Sequence, residues 1–141
     1  MDPKKSNDIL FPVFVFALGC DIFLLESWNS LKDLERIDVE QGEYYKTYDS
    51  KGQALDISID PEGNIILTIL DDKPILENLI RSIRNEYIDT KPISKTFIYT
   101  GPPDDPVGLF KQFEAHRFEH SIVGRIIKLY KKLFKKSAEG K

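Results

Sequence analysis

The 141 residues suffice for one domain with one packed core and fall short of two; 41% apolar and 30% charged residues describe a folded chain, not a disordered one. The formal charge of −3 hides an asymmetry: seven basic residues and one acid follow Ser121 (+6), whereas the first 120 residues hold 13 basic and 22 acidic groups (−9). The acidic body argues against nucleic acid as a partner, and a single cysteine, Cys20, excludes an intrachain disulfide and every cysteine-based zinc framework.

Residues Ile9 to Leu25 form a nearly continuous apolar run of 17 residues behind Lys4 and Lys5. A spanning helix needs roughly 20 apolar residues and tolerates a central carboxylate poorly, so Pro12 and Asp21 argue against one. Val13-Phe14-Val15-Phe16 instead has the β-branched and aromatic content of a strand buried on both faces, with Gly19 to Asp21 as a turn and Ile22 to Leu25 as a second strand. Cys20 is expected to be a small buried hydrophobe. Ala17-Leu18-Gly19-Cys20 also resembles a bacterial lipoprotein cleavage box, with Ala where such boxes carry Leu. That resemblance implies export and lipidation at Cys20, against the leading expectation of a cytoplasmic protein.

Beyond Glu26, Ser27 or Ser30 is placed to cap a short helix carrying Trp28, Leu31 and Leu34, ending before Gln41-Gly42. Glu43–Tyr48, Ala54–Ile59 and Ile65–Leu70 read as three short strands of an antiparallel meander, separated by turns at Asp49-Ser50-Lys51-Gly52 and Asp60 to Asn64. Asp71-Asp72-Lys73-Pro74 is expected to open a helix with a carboxylate cap. That helix carries an apolar stripe of Ile75, Leu76, Leu79, Ile80, Ile83 and Tyr87, and a solvated face of Glu77, Arg81, Arg84 and Glu86. Ile93 to Thr100 alternates as a further strand, and Gly101 to Pro106 is the strongest break in the chain. The expected fold is therefore α+β: a small, mostly antiparallel sheet of hairpin and meander covered by helices. The body spans residues 1–100 and a helical C-terminal arm spans 101–141, together one domain.

The arm holds the only two histidines, His116 and His120, one helical turn apart and therefore on one face. His116-x-x-Glu119-His120 resembles the inverted zinc-peptidase motif, which implies two zinc ligands and a glutamate base. No downstream carboxylate is available except Glu139, so a metal-dependent hydrolase is only a remote alternative. Asp104 and Asp105, like Asp71 and Asp72, sit beside a proline where helix capping accounts for them. No motif implies a cofactor, and no catalytic residue is assigned.

Residues 121–136 are the most informative segment. At 100° per residue, Ile122, Val123, Ile126, Ile127, Leu129, Tyr130, Leu133 and Phe134 fall within an arc of about 160°. Arg125, Lys128, Lys131, Lys132, Lys135 and Lys136 occupy the other side without one acid among them. Three destinations compete for the apolar face: the chain's own body, a protein partner or second copy, and an anionic membrane surface. Leu109, Phe110 and Phe113 of the preceding helix lie on a different face, so either a break near Ser121 to Gly124 reconciles the two stripes or one long helix contacts two different surfaces. The leading functional expectation is a non-enzymatic protein-interaction module, for which a small bacterial inhibitor or immunity-type protein is one concrete form. A membrane-peripheral protein held by helix 121–136 is the alternative.

Overall fold

The structure, a computed structural model, describes residues 8–70 and 73–139, with side chains through residue 135. Lys4 and Lys5, the Asp71-Asp72 pair and the Lys136 side chain lie outside the described residues and side chains. Uncharged Val13–Ala17 forms β1, and every residue of it is buried. A turn through Gly19 and Cys20, both at positive φ, returns the chain as β2 (Asp21–Leu25), antiparallel to β1. Cys20 is thus exposed at the tip of the turn, not packed inside as its apolar neighbours led one to expect.

A short 3-10 helix, Trp28–Asp33, follows; the Ser27 N–H donates to Ser30 Oγ at its start. α1 (Arg36–Glu40) then leads to the meander β3 (Tyr44–Tyr48), β4 (Ala54–Ile59) and β5 (Ile65–Ile69). β3 pairs with β1, so hairpin and meander merge into one antiparallel sheet of order β2-β1-β3-β4-β5. The β3–β4 turn is organised by Asp49, fully buried, whose carboxylate accepts from the N–H groups of Leu10, Lys51 and Gln53 and from Gln53 Nε2. Gly52 in this turn sits at φ +85°, and a Cβ there would stand 2.5 Å from the Ile75 carbonyl oxygen.

Alternation along the strands builds two cores. On one face Val13, Val15, Leu25, Tyr44, Leu55 and Leu67 pack under Leu31 and Leu34 of the 3-10 helix. On the other, Phe14, Phe16 and Ile22 pack under α2 (Leu76–Ile83), its π-helical continuation Arg84–Ile88, and α3 (Pro106–Glu119). The π turn, closed by Asp89 N–H to the Arg84 carbonyl at 2.8 Å, accommodates an extra residue and so buries the consecutive Tyr87 and Ile88 on the same core.

Four expectations are corrected. α2 begins at Leu76 with exposed Ile75 at the N-cap position, so Pro74 precedes the helix and does not form its first turn. Glu86 is no part of a solvated face, being ion-paired with Lys46. Ile93 to Thr100 is not a strand. Pro92, preset for the first helical position, opens a 3-10 helix Pro92–Thr96, and the extended remainder has no ladder partner. Phe97 and Tyr99 turn inward and Ile98 outward, which accounts for the period of two, while the Thr100 N–H is taken by Gln112 Oε1. Finally, α3 belongs to the body: Leu109, Phe110 and Phe113 are buried on the sheet, so a division at residue 101 cuts through one core. As expected, Asp105 caps α3, accepting from the Gly108 N–H at 2.9 Å.

Candidate functional site

α3 ends at Glu119 and α4 (Ile122–Glu139) begins after a corner at His120-Ser121. Ser121 builds that corner: its hydroxyl donates to the Phe118 carbonyl at 2.7 Å and accepts from the Gly124 N–H at 3.0 Å, capping the new helix. Gly124 is required sterically, since a Cβ there would lie 1.9 Å from the Phe118 carbonyl oxygen.

The corner swings α4 off the body. All eight apolar side chains between Ile122 and Phe134 are exposed, from 40% for Ile127 to 77% for Ile122. Tyr130 and Phe134 stack on each other with ring centroids 6.2 Å apart, and among the described residues neither touches another ring. Arg125, Lys128, Lys131, Lys132 and Lys135 are exposed too, and no salt bridge is seen to any of them among the described residues. The interaction residues read from sequence (Ile122, Arg125, Ile126, Lys128, Leu129, Lys131, Lys132, Leu133 and Lys135) therefore form one amphipathic surface that is exposed among the described residues. Between α3 and α4 lies a cleft of about 330 Å³, lined by Ala115, Phe118, Gly124 and Ile127 together with Glu119, Lys128 and Lys131.

His116 and His120 stand together on α3, ring centroids 4.3 Å apart, as their spacing requires. Both are engaged. The Thr96 hydroxyl donates to the Ile93 carbonyl and so accepts from His116 Nε2 at 2.9 Å, while His120 Nδ1 donates to the His116 carbonyl at 2.9 Å. Among the described residues no group of three or more His, Cys, Asp or Glu is placed to hold a metal ion.

Two polar clusters were not foreseen. A bulge between Phe16 and Ala17 of β1 and the facing strand lets Tyr45 share a side with Lys46, and both reach Glu86 of the π turn. Burial pushes the Glu86 carboxyl up, but the bonds from Lys46 and Ser82 outweigh it and hold it below its ordinary value. Burial and the Glu86 charge push the Tyr45 phenol up to about 12. In the second cluster Tyr87 donates to Glu114 Oε1, and Arg117 Nη1 donates to the Tyr87 hydroxyl and to Glu114. Lys91 lies over the Tyr87 ring at 3.9 Å and donates to the Cys20 carbonyl at 2.6 Å, tying the β1–β2 turn to the helical layer. Burial, then repulsion from Arg117, lowers the Lys91 ammonium. The pairs Lys46–Glu86 and Arg117–Glu114, with Lys91, tie the sheet and its β1–β2 turn to the helical layer. Only a bulge and a π turn bring them together, and neither leaves a periodic mark in the sequence.

A cleft of about 400 Å³ lies between the 3-10 helix Trp28–Asp33 and the β4–β5 turn, with Trp28, Leu31, Leu34 and Ile65 as its apolar lining and Lys32 and Arg36 beside them. Among the described residues no helix is long and apolar enough to cross a membrane. Comparison with family models, with curated proteins and with solved structures finds no match for this chain.

Proposed function

We propose that the protein is a non-enzymatic interaction module whose α+β body presents α4 as its docking element. The observation that supports this reading is the exposure of all eight apolar side chains on α4, from Ile122 to Phe134. A helix buried by its own domain hides that stripe, and a monomeric surface rarely carries so long a contiguous one without a partner to cover it. An isolated helix of this length is marginal in water, so α4 gains most of its stability from whatever it meets.

The double substitution Ile126→Gln, Leu133→Gln tests the reading without knowledge of the partner. On an uncovered face it shifts the stability of the isolated chain by no more than about 0.5 kcal/mol per site. If the face were packed on the body, each site would bury an amide without a hydrogen-bond partner, at about 1–3 kcal/mol apiece in a urea titration. A loss of that size overturns the proposal.

A further inference from the structure

We infer that the surface α4 docks on is an anionic phospholipid bilayer, an inference that rests on α4 being the docking element. The apolar arc of about 160° runs from Leu129 through Ile122, Leu133, Ile126, Tyr130, Val123 and Phe134 to Ile127. Cations border it on both sides, Lys131 beyond Ile127 and Arg125 beyond Leu129, with Lys135, Lys128 and Lys132 filling the arc between. Described α4 is about 27 Å long, and along its described side chains it carries no acid. Such a helix lies in the plane of an interface: the apolar side chains enter the acyl boundary, lysine stems lie along it and their ammonium groups reach anionic headgroups on either side. Tyr130 and Phe134, stacked on the side of the face that borders Lys131, are aromatic side chains of the kind that anchor at the headgroup level.

Charge decides against a second copy as occupant. Pairing two α4 helices puts only cations along both flanks of the seam, where stable helix pairs carry opposite charges. A two-helix seam also covers a narrower stripe than this arc, leaving much of it wet. A bilayer covers the whole arc at once and supplies negative charge along both borders. The cleft between α3 and α4 extends the apolar face to the corner through Phe118 and Ile127, with Lys128 and Lys131 and one acid, Glu119, also lining it. The body, at −9 over the first 120 residues, is repelled by the surface that attracts the helix, which holds it on the water side.

The test places an indole on the face by Tyr130→Trp and reads its emission by difference from the parent chain, whose only tryptophan is Trp28. In buffer, with a monomer in sedimentation velocity, this indole emits as one exposed to water. Phosphatidylcholine vesicles containing phosphatidylglycerol shift the emission to the blue and carry the protein into the pellet; phosphatidylcholine alone does neither. Lys128→Gln, Lys132→Gln, Lys135→Gln weakens partitioning about fivefold per lysine, roughly a hundredfold together. An indole that stays water-exposed on saturating anionic vesicles overturns the lipid assignment and leaves the docking-helix reading standing. So does a blue-shifted indole in buffer accompanied by a dimer. A blue-shifted indole in a buffer monomer means that the body covers α4, and both readings fall. Partitioning unchanged in the triple variant overturns the anionic requirement and with it the inference.

Discussion

Glu86 shows how a single residue ties two layers together. It sits in the π turn, pairs with Lys46 of β3 and accepts from Tyr45, so the sheet and its helical cover share one charge cluster. Its carboxyl is held below the ordinary 4.5 in the folded chain, so the folded state binds its proton more weakly than the unfolded state does. The stabilisation is complete above about pH 4.5 and is lost as pH falls through the lower folded value. Glu86→Gln should therefore lower stability at pH 7 by about 1 kcal/mol or less, a modest figure because both partners remain a third exposed. The gap between parent and variant should close as urea titrations move to pH 3. Parallel pH profiles would show that the pair contributes nothing through charge. Read as a sequence, Glu86 looks like one more solvated helix charge, because the bulge that aims Tyr45 and Lys46 at it has no local signature.

Helices and strands separate by how much of their partner is encoded beside them. β1 is legible because Val13 to Phe16 lack any charge, and the meander because its turns carry Asp49 to Gly52 and Asp60 to Asn64. Segment 93–100 misleads because inward Phe97 and Tyr99 mimic a strand's alternation while its hydrogen-bond partner is a side chain, Gln112. The α3–α4 corner is legible from the mismatch of their apolar faces, and Gly124 carries its geometry. Adding a Cβ at Gly124 brings it to 1.9 Å from the Phe118 carbonyl, so either the corner or the body must give. Since α4 packs on little, the corner gives. Gly124→Ala should change the distance between spin labels at Lys111 and Lys132, placed in a Cys20→Ser background, while stability moves by about 1 kcal/mol or less. An unchanged distance with a large loss of stability would mean that α4 is held by the body.

At the scale of the molecule the charge split is visible in composition, but the exposure of the arm is not. Amphipathic sequence specifies that one face avoids water and says nothing about which surface covers it, so docked and free helices read alike. The structure separates them by placing both cores entirely within residues 9–113 and leaving Ile122 to Phe134 outside. That division predicts the behaviour of a chain ending at Ser121. Unfolding by urea exposes the surface buried in the two cores, and the slope of stability against denaturant scales with that surface. Because α4 adds almost none, the shortened chain should unfold in one cooperative transition with nearly the parent's slope and a midpoint shifted by less than about 1 kcal/mol of stability. Its charge falls from −3 to −9, so raising the salt should stabilise it more than it stabilises the parent, through screening of self-repulsion. A slope markedly below the parent's would require that α4 bury surface against the body, and the docking role assigned to it would fail at the same measurement.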